Sequence, residues 1–146
     1  MTNIIKTNSL DKVKEHLTAE CFNKLFIGGQ FVDPIDGQKM PTYYPATGEV
    51  LHELPKGNAN DIGSAIHAAE AAWLDGAWAN MPALARGKLI MRMAQGIEEH
   101  IEVLAAIEAA DVGKPFRQAA LALGGAANEG RYWGSLGVVL DAEQDK

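Results

Sequence analysis

Cysteine is almost missing from this chain: among 146 residues Cys21 stands alone. No internal disulfide can form, and neither a CxxC pair nor a Cys/His metal cluster can be assembled. A reducing compartment is consistent with that usage. Positive charge is also scarce. Thirteen Lys and Arg face nineteen Asp and Glu, a net charge of -6, so no polybasic surface exists and nucleic acid is excluded as an expected partner. Long hydrophobic runs are lacking too. Nothing approaches the roughly 20 apolar residues that cross a bilayer, and residues 1–10 have neither the basic start nor the apolar middle of a secretory signal. The expectation is a cytoplasmic chain without a membrane partner.

Several chemistries fail on the same grounds. His16, His52, His67 and His100 are scattered over different segments, with no HxxxH or HExxH string to set two ligands on one helix face. Gly113-Lys114 is no phosphate loop, because Glu108 and Pro115 stand where a glycine and a Ser or Thr are needed. Neither Gly28-Gly29 nor Gly124-Gly125 completes a GxGxxG dinucleotide fingerprint. Cys21, between Glu20 and Phe22, has no neighbouring cation or base to activate it. It reads as a partly buried small apolar residue.

What is present is the material of one globular domain: 47% hydrophobic residues and 22% charged. Ser9 caps a short amphipathic helix carrying Leu10, Val13 and Leu17, after a frayed start at residues 1–8. In LFIGGQFVD, residues 25–33, a Gly-Gly doublet between β-prone runs predicts a tight hairpin. Turn residues at 33–37 and 45–48 then separate extended pieces at 40–44 and 50–54. From Asn60 the period becomes helical: Ile62, Ala65, Ile66, Ala69, Ala72 and Trp73 recur, with Asn60 or Asp61 as cap. Pro82 opens the next helix as its first residue, with Leu84, Leu89, Ile90, Met93, Ala94 and Ile97 as the buried stripe. A bend at 98–100 leads to a segment stopped by Gly113. Pro115 starts a last helix running to about Trp133, weakened by Gly124, Gly125 and Gly130.

The acidic side chains Glu98, Glu99, Glu102 and Glu108 read as a solvated helix face, since useful acid–base carboxylates must be partly desolvated. Trp73, Trp78, Tyr132 and Trp133 read as core and interface aromatics instead of a ligand cage.

Five strings in register resemble the N-terminal portion of the aldehyde dehydrogenase family: residues 26–32, PATGE at 45–49, the alanine-rich helix at 62–78, Arg86-Gly87, and DVGKP at 111–115. RYWGSL at 131–136 is similar to the aromatic end of the family's next helix. Tyr44 departs from the pattern, which usually has asparagine before the proline. The resemblance implies an α/β family fold, of which this piece is an N-terminal β-hairpin and short strands followed by about four α-helices, without a complete Rossmann sheet. Residues 1–24 form a leader helix segment, and 25–146 the first part of a truncated NAD-binding domain.

In such enzymes a cysteine thiolate attacks the aldehyde, hydride passes to NAD or NADP, and a glutamate activates the water that hydrolyses the thioester. The resemblance places all those residues, and the grip on the dinucleotide, beyond Lys146. It therefore implies no catalytic and no cofactor-binding residue here, no activity for the chain alone, and as partner a larger aldehyde dehydrogenase chain carrying the Rossmann and catalytic domains in an oligomeric assembly. It also implies a partial monovalent-cation site at Thr42, Tyr43 and Asp111, completed by a ligand elsewhere. Asp111 can equally be a residue that ends its helix and orders the turn to Pro115. By the same resemblance the final helix lines a substrate entrance that Gly124, Gly125 and Asn128 leave wide. The alternative function is a non-catalytic remnant or assembly regulator that folds alone or docks on an intact dehydrogenase; a chain shortened by accident is the third.

Overall fold

The structure, a computed structural model, describes residues 10–74 and 76–144, with the side chains of 138 and 141–144 left aside. The expected frayed start and the Ser9 cap lie outside these residues. Two short helices come first, α1 (Leu10–His16) and α2 (Glu20–Asn23). Two antiparallel pairs follow: β1 (Leu25–Ile27) with β2 (Gln30–Val32), and β3 (Lys39–Tyr43) with β4 (Val50–Pro55). Then come α3 (Ala59–Leu74), α4 (Ala83–Glu99), α5 (Ile101–Val112) and α6 (Phe116–Gln144). Four helices follow the strands as expected, and α2, which carries no periodic signal, brings the described total to six.

The first hairpin turns on Gly28 and Gly29, at φ 60 and 80. Two successive residues of positive φ make a turn whose twist matches the strands, and glycine takes that conformation without penalty. The second pair is closed by the turn at 45–48 and carries a register shift between Thr42 and Tyr43, a bulge that re-aims neighbouring side chains.

Helix α3 starts earlier than its periodicity suggests. Asn58 is the cap: its Oδ1 accepts from the backbone N–H of Asn60 at 2.8 Å and of Asp61 at 3.1 Å. Asp61 answers by accepting from the Asn58 backbone N–H at 2.8 Å, a reciprocal capping box. Its second oxygen accepts from the Ile35 backbone N–H at 3.2 Å. That double duty explains why Asp61 is only 4% exposed yet a carboxylate. The turn at 33–38 is thereby tied to the start of α3, and Asn58 Nδ2 also donates to Asp36 at 3.3 Å. Hydrogen bonds from the Gln38 backbone and from Asn58 hold the Asp36 carboxyl below its ordinary value.

The predicted faces of α3 and α4 need correction. Ile62, Ile66, Ala69, Ala72 and Trp73 are exposed, and only the smaller Ala65 and Ala68 turn inward, Ala68 beside Gly28 of the hairpin. On α4, Pro82 is the N-cap instead of the first helical residue. The buried positions are Ala83, Gly87 and Ala94, while Leu84 and Met93 face out. Large side chains lose the inner face because α4 meets α6 almost backbone to backbone. A Cβ on Gly87 would stand 2.2 Å from the Gly134 carbonyl oxygen, and one on Gly137 would stand 2.5 Å from that of Ala83. Small residues are the condition for so close a crossing. It also carries α6 past Trp133 to Gln144, because Gly134 and Gly137 are contact residues and not breakers.

The rest of the core gathers around α5. Val13 of α1, Leu17 just after it, Leu51 of β4 and Ala106 and Ala110 of α5 are buried together, with Phe22, Tyr44, Ile107 and Phe116 packed against them. Each large apolar side chain so buried is worth roughly 1.5–3 kcal/mol over leaving it in water. The leader helix thus contributes to this core. Cys21, expected to be partly buried, is exposed. Trp73, Trp78, Tyr132 and Trp133 are exposed as well, against the expectation of core aromatics. Tyr132 and Trp133 stack edge to face at 5.1 Å between centroids.

Candidate functional site

The end of α5 and the β3–β4 pair meet at one point. Gly113 stops α5 in the left-handed conformation, φ 74, and donates its N–H to Ala109 O at 3.1 Å. A Cβ there would lie 3.3 Å from Pro45 Cβ, so the helix end rests on the turn that joins the strands. Lys114, just past the stop, pairs with Glu108, before it, at 2.9 Å.

This contact fixes Asp111 opposite the bulged strand. The Thr42 hydroxyl donates to Asp111 Oδ1, a bond joining residues 69 positions apart. Of the three expected cation ligands, Thr42 and Asp111 are brought together, and Tyr43, the next residue past the bulge, is exposed. Adjacent hydroxyl and carboxylate oxygens are hard donors of the type that binds hard cations, and in this respect the residues fit. No group of three or more His, Cys, Asp and Glu stands together among the described residues.

Sequence reading passed over a third polar residue here. His52 pairs with Thr42 across the β3–β4 register, and its Nε2 is buried with no hydrogen-bond partner. Thr42, His52 and Asp111 share a pocket of about 150 Å³ whose walls are Leu17, Phe22, Leu51, Leu54 and Ile107. A buried ring nitrogen without a partner carries a desolvation cost on the order of 1–3 kcal/mol until something bonds to it. In the sequence nothing marked His52 beyond its place in an expected extended segment at 50–54.

The remaining candidates stay apart from this point. Glu98, on α4, accepts hydrogen bonds from both terminal guanidinium nitrogens of Arg131 on α6. The bonded guanidinium holds the Glu98 carboxyl below its ordinary range and raises Arg131 in turn. It is a surface clamp at the helix crossing, not an acid–base group. On α6, Gly125 borders open space and Asn128 is exposed, whereas Gly124 faces Ile101 of α5. Among the described residues both sheets are two-stranded and antiparallel, whereas dinucleotides in open α/β folds sit at the carboxyl ends of parallel strands. No helix of the described residues is long and apolar enough to cross a membrane.

Comparison with known proteins gives a consistent set of relatives. The model of the aldehyde dehydrogenase family matches residues 31–144. Mitochondrial benzaldehyde dehydrogenase of Antirrhinum majus is 44% identical over 99 residues, 68% of this chain and 18% of its own length. Mitochondrial aldehyde dehydrogenase family 2 member B4 of Arabidopsis thaliana is 42% identical over 95 residues, 65% of this chain and 18% of its own. Among solved structures, betaine aldehyde dehydrogenase from Staphylococcus aureus in complex with NAD+ superposes with a TM-score of 0.82 at 28% identity, covering 87% of this chain and 25% of that one. A mutant aldehyde dehydrogenase from Bacillus cereus gives 0.79 at 39% identity, covering 86% and 25%. The chain spans about a fifth of the curated relatives' length and a quarter of the solved chains.

Proposed function

This chain belongs to the aldehyde dehydrogenase family, and from that premise we propose that it acts as the N-terminal segment or small subunit of an NAD(P)-dependent enzyme oxidising an aldehyde to a carboxylic acid. The observation that carries the reading is the match itself: residues 31–144 follow the family model, yet the chain spans only 18% of its curated relatives in the pairs described. Nucleophile, base and dinucleotide site are assigned to a larger dehydrogenase chain, which is the proposed partner. Support comes from the residues present. The lone cysteine is exposed and lies ahead of the matched region, and no parallel strands stand among the described residues to receive a dinucleotide. The structure solved with NAD+ supports that cofactor at the level of the family.

Within this reading Thr42, Tyr43 and Asp111 supply oxygens to a monovalent cation, completed by the partner chain. The Thr42–Asp111 contact supports it. The test of the whole is activity. The purified chain, mixed with an aldehyde and NAD or NADP, should leave absorbance at the reduced-nicotinamide band unchanged. Co-expression with a larger dehydrogenase chain should yield a complex that reduces the dinucleotide. Turnover by the isolated chain, or failure to associate with any such chain, would overturn it.

A further inference from the structure

We propose that His52 is a metal ligand, and that with Thr42 and Asp111 it holds a divalent ion of the zinc, cobalt and nickel class, for which a monovalent cation competes. The proposal rests on the reading of Thr42 and Asp111 as cation ligands and adds a nitrogen donor to them. The observation behind it is the His52 Nε2 atom, enclosed and without a hydrogen-bond partner. What encloses that atom is this chain's own structure, so whatever satisfies it must be small enough to enter the pocket of about 150 Å³ that His52 lines. An ion is of that size.

The backbone brings the three donors together. His52 stands directly across from Thr42 in the β3–β4 pairing, a relation that sets two side chains on one face with Cβ atoms about 4.5–5.5 Å apart. The Thr42 hydroxyl gives its proton to Asp111 Oδ1, which leaves lone pairs on its own oxygen. With its proton on Nδ1, His52 offers a further lone pair at Nε2. Hydroxyl, carboxylate and ring nitrogen then line one pocket, and converging lone pairs call for a cation.

The charge of Asp111 is free to serve it. Asp111 is in no ion pair among the described residues, and Lys114 nearby is taken by Glu108 at 2.9 Å. Asp111 is also exposed, which gives the ion a route in from solvent. The nitrogen selects the class: alkali and alkaline-earth ions are held by oxygens, whereas imidazole suits zinc, nickel and their neighbours. Three protein donors leave the remaining positions to water.

Titration of the untagged full chain with Co²⁺, followed by its visible absorption bands and by calorimetry, tests this. One ion per chain should bind, potassium should compete, and both His52→Ala and Asp111→Asn should weaken binding by about 10–100-fold or more, since losing a ligand costs no less than losing the groups behind it. Should His52→Ala lose the wild-type circular dichroism, His52→Gln keeps the bulk without the ring nitrogen. His67→Ala, at an exposed histidine 4.0 Å from Glu70, should bind as the wild type does. Absence of saturable binding, as expected for a pocket that holds water only, would overturn the proposal, as would affinity unchanged in both His52 variants or equal loss in His67→Ala. Binding of potassium through Thr42 and Asp111 with Co²⁺ refused would sink the divalent site and leave the monovalent reading standing. Dinucleotide reduction has no part in the readout, so the dehydrogenase reading fails or stands separately.

Discussion

The α4–α6 crossing and the outer face of α3 use apolar residues in opposite ways. At the crossing, Gly87, Ala94, Gly130, Gly134 and Gly137 bring two backbones together, and the largest buried residues of α4 are alanines. On α3 the bulky Ile62, Ile66 and Trp73 stand in water, while Ala65 and Ala68 turn toward the hairpin. At the crossing, burial therefore follows how close two backbones come, not side-chain hydrophobicity. Where helices touch, small residues are enclosed and large ones are displaced outward. α3, held mainly through its capped first turn, keeps its large residues free.

Three experiments break or sharpen that contrast. The largest effect is expected from Gly134→Leu, whose Cβ alone would stand 2.8 Å from the Gly87 carbonyl oxygen. Overpacking of this kind costs about 3 kcal/mol, read as a lower midpoint in urea unfolding. An unchanged midpoint would mean that the crossing is looser than described. Next comes Asp61→Ala, which removes the reciprocal cap and leaves the N–H groups of Asn58 and Ile35 without their acceptor. A loss of about 2 kcal/mol is expected, together with faster amide exchange in the first turn of α3. Equal exchange along α3 in the variant and the wild type would show that the clasp does not hold this helix.

The smallest effect belongs to the clamp at the rim of the crossing. Glu98 titrates below its ordinary 4.5 because Arg131 bonds its carboxylate. A depressed folded value adds stability above the unfolded value, and that stability disappears as pH falls through the folded one. The melting temperature of the wild type should therefore exceed that of Glu98→Gln slightly at pH 7, and the two should converge as pH falls below the ordinary carboxylate range. Both residues are solvent-exposed, so the difference should be within the range of surface ion pairs. A gap that widened on acidification would contradict the assignment.

Much of the chain's local structure could be read from its sequence. Gly28-Gly29 demanded a two-residue turn, Gly113 a helix stop, and Pro45 with Gly48 a loop between strands, because each rests on backbone conformation within a few residues. The family strings led to the fold as well. The faces of α3 and α4 could not be read the same way. Periodicity picks out the bulkiest apolar residues, whereas the α4–α6 contact selects Gly87 and Ala94 for their lack of bulk. Asn58 as cap was legible locally, because Asn58 and Asp61 stand at the spacing of a capping box, and the expectation of a cap at Asn60 or Asp61 missed it. At the site, Thr42 and Asp111 came from resemblance and meet in space. His52 joined them only through the register of β3 with β4, which no local pattern encodes.

A backbone crossing this tight prescribes its own alphabet. At positions 87, 134 and 137 the neighbouring main chain already occupies the space of a first side-chain carbon, so sequences that keep this helix pair should spell glycine at all three. The water-facing positions 62, 66 and 73 answer to no such constraint inside one molecule. If they nonetheless stay apolar wherever the glycine triplet recurs, what restrains them lies outside the residues described.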